Sequence, residues 1–348
     1  MSGPRVLVIR LSAIGDVVMA SALVPALRAS WPDAHVAWLA ESAGAELLRH
    51  NPRLDEVIVW PRSDWARMWA AGQYRALAGA LRGFVRALRE RRFELALDTQ
   101  GLLKSGIWAW LSRAPRRIGL GSREGSQWLM TETLDRRGAS RRIGAEYLAL
   151  AHYLGLEVGG FPMDIPIGAA AASTARERLT AVGVAGPYAV LCPFTTRAQK
   201  HWLEERWADL ACRLPHDLGV AAVVLGGPGD REAADRLVAA AGGAARHLVG
   251  VTRLDEAAAV ISGARLVVGV DTGLTHLGIA EAVPTVALFG STCPYLDPAR
   301  PDAVVLYERL PCSPCRRSPT CHGRFDCMRA HTVDTVLAAA ARVIGTVP

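Results

Sequence analysis

Short apolar runs and longer amphipathic stretches alternate along this chain. In the first half the runs are VLVI at 6–9, HVAWL at 35–39, VIVW at 57–60 and ELALD at 94–98. In the second half they are AVLC at 189–192, VAAVVL at 220–225, HL at 247–248, LVVGV at 266–270 and VALF at 286–289. Near-continuous, β-branched runs are the signature of strands buried on both faces of a parallel sheet. The stretches between them place apolar residues on one side of a helix, as Val17, Val18, Leu23 and Leu27 do after the first run. The alternation predicts an α/β chain with two doubly wound parallel sheets in tandem. A segment rich in Gly, Pro and Ala, GGFPMDIPIGAAAA, separates the halves. The expected division is a first domain over 1–160, a linker over 161–175 and a second domain over 176–330. A closing helix over 331–348 is expected to pack back on the first domain. A length of 348 residues is itself long for one core.

The stretch 266–294, LVVGVDTGLTHLGIAEAVPTVALFGSTCP, reads as strand, turn, helix, strand. The helix opens at Asp271-Thr272-Gly273, and Pro284 ends it. Unpaired N–H groups and the positive dipole end around Thr272–Thr275 suit a phosphate. The plainer reading is an ordinary αβ joint with Asp271 as its N-cap. Two other strand ends of this half belong on the same sheet edge. One carries Thr195, Thr196, Arg197 and Lys200; the other carries Gly226-Gly227-Pro228-Gly229 and then Glu232. Hydroxyls, a lysine and a helix terminus suit a nucleotide diphosphate, and a carboxylate suits ribose hydroxyls. Singly, Lys200 is a surface charge, Glu232 a helix acid and His276 a packed histidine. No Walker lysine motif is present, which argues against a nucleotide hydrolase of that class.

In the first half the turn after strand one, residues 10–16, contains only Gly15. That is not the G-x-G-x-x-G of a dinucleotide site, so no nicotinamide or flavin is expected. Asp16 follows in the first helical turn. It is either a dipole-favoured acid or a general base at the sheet edge. Residues 62–142 hold 17 Lys and Arg against 7 Asp and Glu, while 166–348 are nearly balanced at 18 against 17. The excess positive charge belongs to one stretch and points to an anionic partner there. Within it lies one long predicted helical stretch, residues 63–92. Its Trp65, Trp69, Arg75, Arg82, Arg86 and Arg89 suit a lipid-like acceptor or a membrane surface, or else form a solvated face with packed tryptophans. Lys104 follows the fourth strand, and Arg116, Arg117 and Arg123 sit on a predicted Gly/Arg loop suited to phosphates or carboxylates.

No apolar run reaches the length of a membrane span, and the N-terminus enters a strand without a signal peptide, so a cytoplasmic chain with reduced thiols is expected. Cys312, Cys315, Cys321 and Cys327 form an irregular cluster, a candidate for a structural zinc site or for plain reduced thiols. The sequence pI of about 9.3 and this cluster raise the alternative of a nucleic-acid binder. No recognised binding motif or finger spacing supports it.

The segments RLSAIGDVV, DTQGLLKS with PRRIG, TTRAQKHW, LGGPGDRE and VVGVDTGLTHLGIA…PTVALFGSTCP together resemble the ADP-heptose:lipopolysaccharide heptosyltransferases of glycosyltransferase family 9. The resemblance spans roughly residues 5–330 and is strongest toward heptosyltransferase I. It implies a GT-B fold, two Rossmann-like domains facing a central cleft. It implies inverting transfer of heptose from ADP-L-glycero-D-manno-heptose to the Kdo of Kdo–lipid A, at the inner face of the inner membrane, with no catalytic metal or other required cofactor and no nucleic acid. By the same resemblance Asp16 is the base and Lys200 assists departure of ADP. Thr195, Thr196, Glu232, Thr252, Asp271, Thr272, Gly273 and His276 hold the donor. Thr252 stands where the family often has an apolar residue beside adenine. The acceptor groups would be Lys104, Arg116, Arg117 and Arg123. The Cys-rich tail is more like heptosyltransferase II, which leaves a second acceptor, or another nucleotide sugar, as the alternative.

Overall fold

The computed structural model describes residues 3–136, 140–292, 295–315 and 318–346. The described parts of Met1–Ala139 and Gly144–Pro166 form one unit, and Ser140–Ile143 with Ile167–Pro348 form the other.

The first unit holds a six-stranded parallel sheet: β1 (Arg5–Ile9), β2 (His35–Glu41), β3 (Glu56–Trp60), β4 (Leu95–Asp98), β5 (Arg116–Leu120) and β6 (Glu132–Leu134), in the order 3-2-1-4-5-6. Val6 to Ile9 and Val36 to Ala40 are wholly buried, as strands covered on both faces must be. One face packs Leu7, Ile9 and Leu39 on Trp108, with Trp60, Trp65 and Phe84 against them. Trp65 therefore turns inward, meeting Phe84 edge-to-face at 5.5 Å.

The second unit repeats the plan with β7 (Tyr188–Cys192), β8 (Ala221–Val224), β9 (Ala245–His247), β10 (Leu266–Val270), β11 (Thr285–Phe289) and β12 (Ala303–Tyr307), in the order 12-11-10-7-8-9. Renumbered from its own first strand, this is again 3-2-1-4-5-6. Both sheets therefore reverse winding at one central pair, β1 with β4 and β7 with β10. Crevices at the carboxyl ends of such pairs are where doubly wound sheets hold ligands.

Four expectations change. The helical stretch expected over 63–92 is two helices, Arg62–Ala70 and Tyr74–Glu90, parted at Gly72 with φ +69°. The Gly/Arg loop contains β5, so Arg116 and Arg117 lie on a strand. Residues 161–166 stay with the first unit: the Asp164 amide donates to Ser21 at 2.7 Å and its carboxylate takes Asn51 at 2.9 Å. The closing helix, Val333–Gly345, belongs to the second unit. Its Val336, Leu337, Ala340 and Val343 are buried in the core of the second sheet, beside Leu210, Val268 and Leu288. Among the described residues no helix is long and apolar enough to cross a membrane.

Candidate functional site

In the second unit the groups gather where β7 and β10 end. The chain leaves β10 at Asp271, and Thr272 leads into helix Gly273–Ala280. The tight joint needs Gly269. A Cβ there would lie 2.1 Å from the Thr275 hydroxyl and 2.8 Å from Cys192 Cβ. The Thr275 hydroxyl instead donates to the Val270 carbonyl at 2.6 Å, tying the helix start to the strand end. Asp271 is the hub. Lys200 Nζ lies 2.5 Å from its carboxylate and also donates to its backbone carbonyl at 3.4 Å. His276 Nε2 lies 3.4 Å from the other carboxylate oxygen, and the Thr292 hydroxyl donates to the carboxylate. His276 Nδ1 is 2.9 Å from the Tyr295 hydroxyl. Burial by itself would raise the Asp271 carboxyl. The hydrogen bond and charge of His276 and the charge of Lys200 outweigh it and hold the group well below the usual carboxylate range.

Thr195 and Thr196 line a neighbouring cavity of about 420 Å³ with His201, Trp202, Phe325 and Arg329. His201 Nε2 lies 2.8 Å from the Thr195 carbonyl, which holds the threonine loop in place. The Cys-rich segment therefore supplies part of this wall. Glu232 is highly exposed and pairs with Arg236 on its own helix at 3.2 Å; no contact joins it to the Asp271 group. Thr252 is half-buried, and its hydroxyl donates to the Leu248 carbonyl at 3.4 Å.

In the first unit Asp16 opens helix Ile14–Ala20 and is ion-paired to Arg10. Arg10 is buried and donates to the Thr99 carbonyl at 2.7 Å, so the end of β1 is clamped to the end of β4. Arg136 donates to the same carbonyl at 2.7 Å and to that of Gln100 at 2.8 Å. Gly101, at φ +66°, completes the turn; a Cβ there would meet the Leu120 carbonyl at 2.4 Å. Lys104 Nζ donates to Ser12 at 3.3 Å and pairs with Glu41 at 3.2 Å; Arg62 faces Glu41 at 3.5 Å. The remaining arginine candidates lie elsewhere. Arg116 forms a two-point pair with Glu132 at 2.8 and 3.0 Å. Arg117 donates to the carbonyls of Leu129 and Ala114. Arg123 is exposed.

Sequence reading left Arg10, Glu41, Thr292 and Tyr295 without roles. Only Arg10 carried a signal, as a charge directly after a wholly apolar run.

Cys312, Cys315, Cys321 and Cys327 are free thiols, the last two buried. Burial first, then the neighbouring Cys315, Cys312 and Cys321, push the Cys327 thiol up to about 11. Among the described residues no three His, Cys, Asp or Glu are arranged to hold a metal ion. The geometry lends a zinc site no support.

Residues 81–324 match the model of "Glycosyltransferase family 9 (heptosyltransferase)". Lipopolysaccharide heptosyltransferase 1 of Pseudomonas aeruginosa is 33% identical over 322 residues, 91% of this chain and 87% of that protein. A family 9 glycosyl transferase from Veillonella parvula shares the fold with a TM-score of 0.80 at 22% identity, over 98% of this chain and 97% of that one. The E. coli heptosyltransferase WaaC, solved with ADP-2-deoxy-2-fluoro heptose, aligns with a TM-score of 0.68 at 25% identity, covering 95% and 97%.

Proposed function

The chain belongs to glycosyltransferase family 9, and from that premise we propose that it moves heptose from ADP-L-glycero-D-manno-heptose to the Kdo of Kdo–lipid A, inverting the anomeric carbon without a catalytic metal. The observation that carries the reading is the largely buried Lys200–Asp271–His276–Thr292 group where the second sheet's central strands end. It suits a leaving diphosphate. Lys200 meets the charge that develops on the β-phosphate, and Asp271 holds that ammonium in place. First-turn amides of helix Gly273–Ala280 add a positive dipole end. Thr195 and Thr196 line the space beside it, and Glu232 and Thr252 are assigned to the ribose and adenine.

In the proposed step Asp16 takes the proton of the acceptor hydroxyl while that oxygen bonds to the anomeric carbon. The bond from that carbon to the diphosphate oxygen breaks, and the electron pair leaves with ADP. Arg10 orients Asp16, and Lys104 with Arg123 serve the anionic acceptor. Arg116 and Arg117 are occupied by protein partners, which withdraws support from them as acceptor ligands. The enzyme works at the inner face of the inner membrane in this reading.

The test is mass-spectrometric transfer from ADP-heptose to two acceptors, Kdo–lipid A and heptosylated Kdo–lipid A. Product with the first alone supports the reading. Product with the second alone moves the chain to the heptosyltransferase II reaction, and product with neither removes the assignment.

A further inference from the structure

Helix Tyr74–Glu90 has the sequence YRALAGALRGFVRALRE, yet Leu88 alone along it is buried. The helix before it, Arg62–Ala70, has no buried residue. At 3.6 residues per turn, Arg75, Arg82, Arg86 and Arg89 fall on one stripe roughly 60° wide. Tyr74, Leu81 and Val85 form the adjoining stripe. Leu81 is 40% exposed, Tyr74 57% and Trp69 64%. Trp69 packs edge-on against Tyr74 at 5.1 Å, which places a pair of aromatic rings where the two helices join. Farther along, Leu81, Val85 and Leu111 share a shallow cavity of about 300 Å³ with Arg82, Arg86 and Arg89. Lone exposed apolar residues are ordinary. A continuous aromatic and aliphatic edge beside a row of arginines is not, and it lies in the stretch that carries the positive excess.

We propose that this face docks on an anionic phospholipid surface. Trp69, Tyr74 and Leu81 enter the headgroup layer, and Arg75 and Arg82 meet lipid phosphates, beside Arg86, which pairs with Glu90 on its own helix at 2.7 Å. Charge and polarity together select this occupant. A nucleic acid duplex uses the arginines but leaves Leu81, Tyr74 and Trp69 in water. A second copy of the chain brings the same arginines against themselves. The inference deepens the reading above, whose lipid-borne acceptor gives it a purpose. Its test contains neither donor nor acceptor, so the two fail separately.

The test is flotation of the full chain with vesicles of phosphatidylcholine alone and of phosphatidylcholine with phosphatidylglycerol. Binding at least tenfold tighter to the anionic vesicles, weakening as salt rises, is expected. Each basic side chain near such a surface contributes about fivefold. Arg75→Glu with Arg82→Glu is expected to lose at least tenfold, and Trp69→Ser with Tyr74→Ser about threefold or more, both with unchanged thermal unfolding. All four residues are exposed. Equal binding to the two vesicle types, no flotation of the wild-type chain, or full binding by both double variants overturns the proposal. So does light scattering that shows self-association abolished by the aromatic variant, or release from vesicles by duplex DNA at equal phosphate.

Discussion

The Lys200 ammonium stands 2.5 Å from an Asp271 carboxylate oxygen, and both side chains are largely withdrawn from water. Removing one member of such a pair leaves the other charged and unmatched, at a cost of about 3 kcal/mol. Asp271→Asn is therefore expected to lower unfolding stability by about that amount in urea titrations and to weaken ADP binding in calorimetry. Unchanged values of both would mean that the pair is incidental. Lys200→Ala is expected to lower kcat/KM by about 10²–10³, the usual effect of removing one stabiliser of developing charge.

Asp16→Asn keeps the shape of the side chain and removes its basicity. Transfer is expected to fall by about 10²–10⁴, while ADP-heptose binding by calorimetry stays within about twofold of wild type. Near-normal turnover would exclude Asp16 as the base.

The pH dependence of stability carries the mark of Asp271. Its folded-state carboxyl is held below the ordinary value of 3.8. The unfolded chain therefore takes up this proton first as pH falls, and the native state loses ground. The contribution is complete above about pH 5 and drains away as pH drops below about 4. Urea midpoints of wild type and Asp271→Asn are expected to differ by a constant amount from about pH 6 to 8 and to converge below about 4. A difference that stays constant down to pH 3 would contradict the depressed value.

Arg116 is held by Glu132, which also accepts from the Tyr153 hydroxyl at 2.9 Å. Arg116→Ala is expected to leave transfer to Kdo–lipid A within about twofold. It should cost less than about 1 kcal/mol of stability, as a half-exposed ion pair does. A tenfold rise in acceptor KM would return Arg116 to the acceptor site.

Gly269→Ala forces a methyl group onto Thr275 and Cys192. Overpacking of this kind costs about 1–3 kcal/mol, and here it also pushes on the helix that begins the candidate site. The variant is expected to melt earlier and to bind ADP more weakly, read by calorimetry and titration.

The central strands were plain in the sequence because burial on both faces writes them as unbroken apolar runs. The strands RRIGL and AVVLY were not. RRIGL begins with two arginines, one of which pairs with Glu132 on the neighbouring strand, and AVVLY has side chains that are mostly only partly buried. The candidate groups were legible as strand ends, Asp16 in the first unit and Lys200 and Asp271 in the second. Which of these meet was not, since Lys200 and Asp271 are brought together by the β7–β10 pairing. Thr292 and Tyr295 complete the group from a loop with no periodicity. Arg10 looked like the edge of a strand, and only its burial reveals a clamp. The closing helix shows another limit. Its amphipathic pattern states that one side is covered, and not by which sheet.

The shared strand order gives the two units corresponding slots. Asp16 follows the first strand of one sheet, and Lys200 follows the first strand of the other. One slot offers a carboxylate and the other a cation, on frames that differ in neither winding nor strand number. Drift in the loops of one frame leaves the hydrogen-bond ladder of the other untouched. On the proposed reading, with the acceptor at the first sheet and the nucleotide sugar at the second, such a chain can acquire new acceptors without relearning its donor, and a laboratory search for altered acceptor choice can confine its randomised positions to the loops of the first sheet.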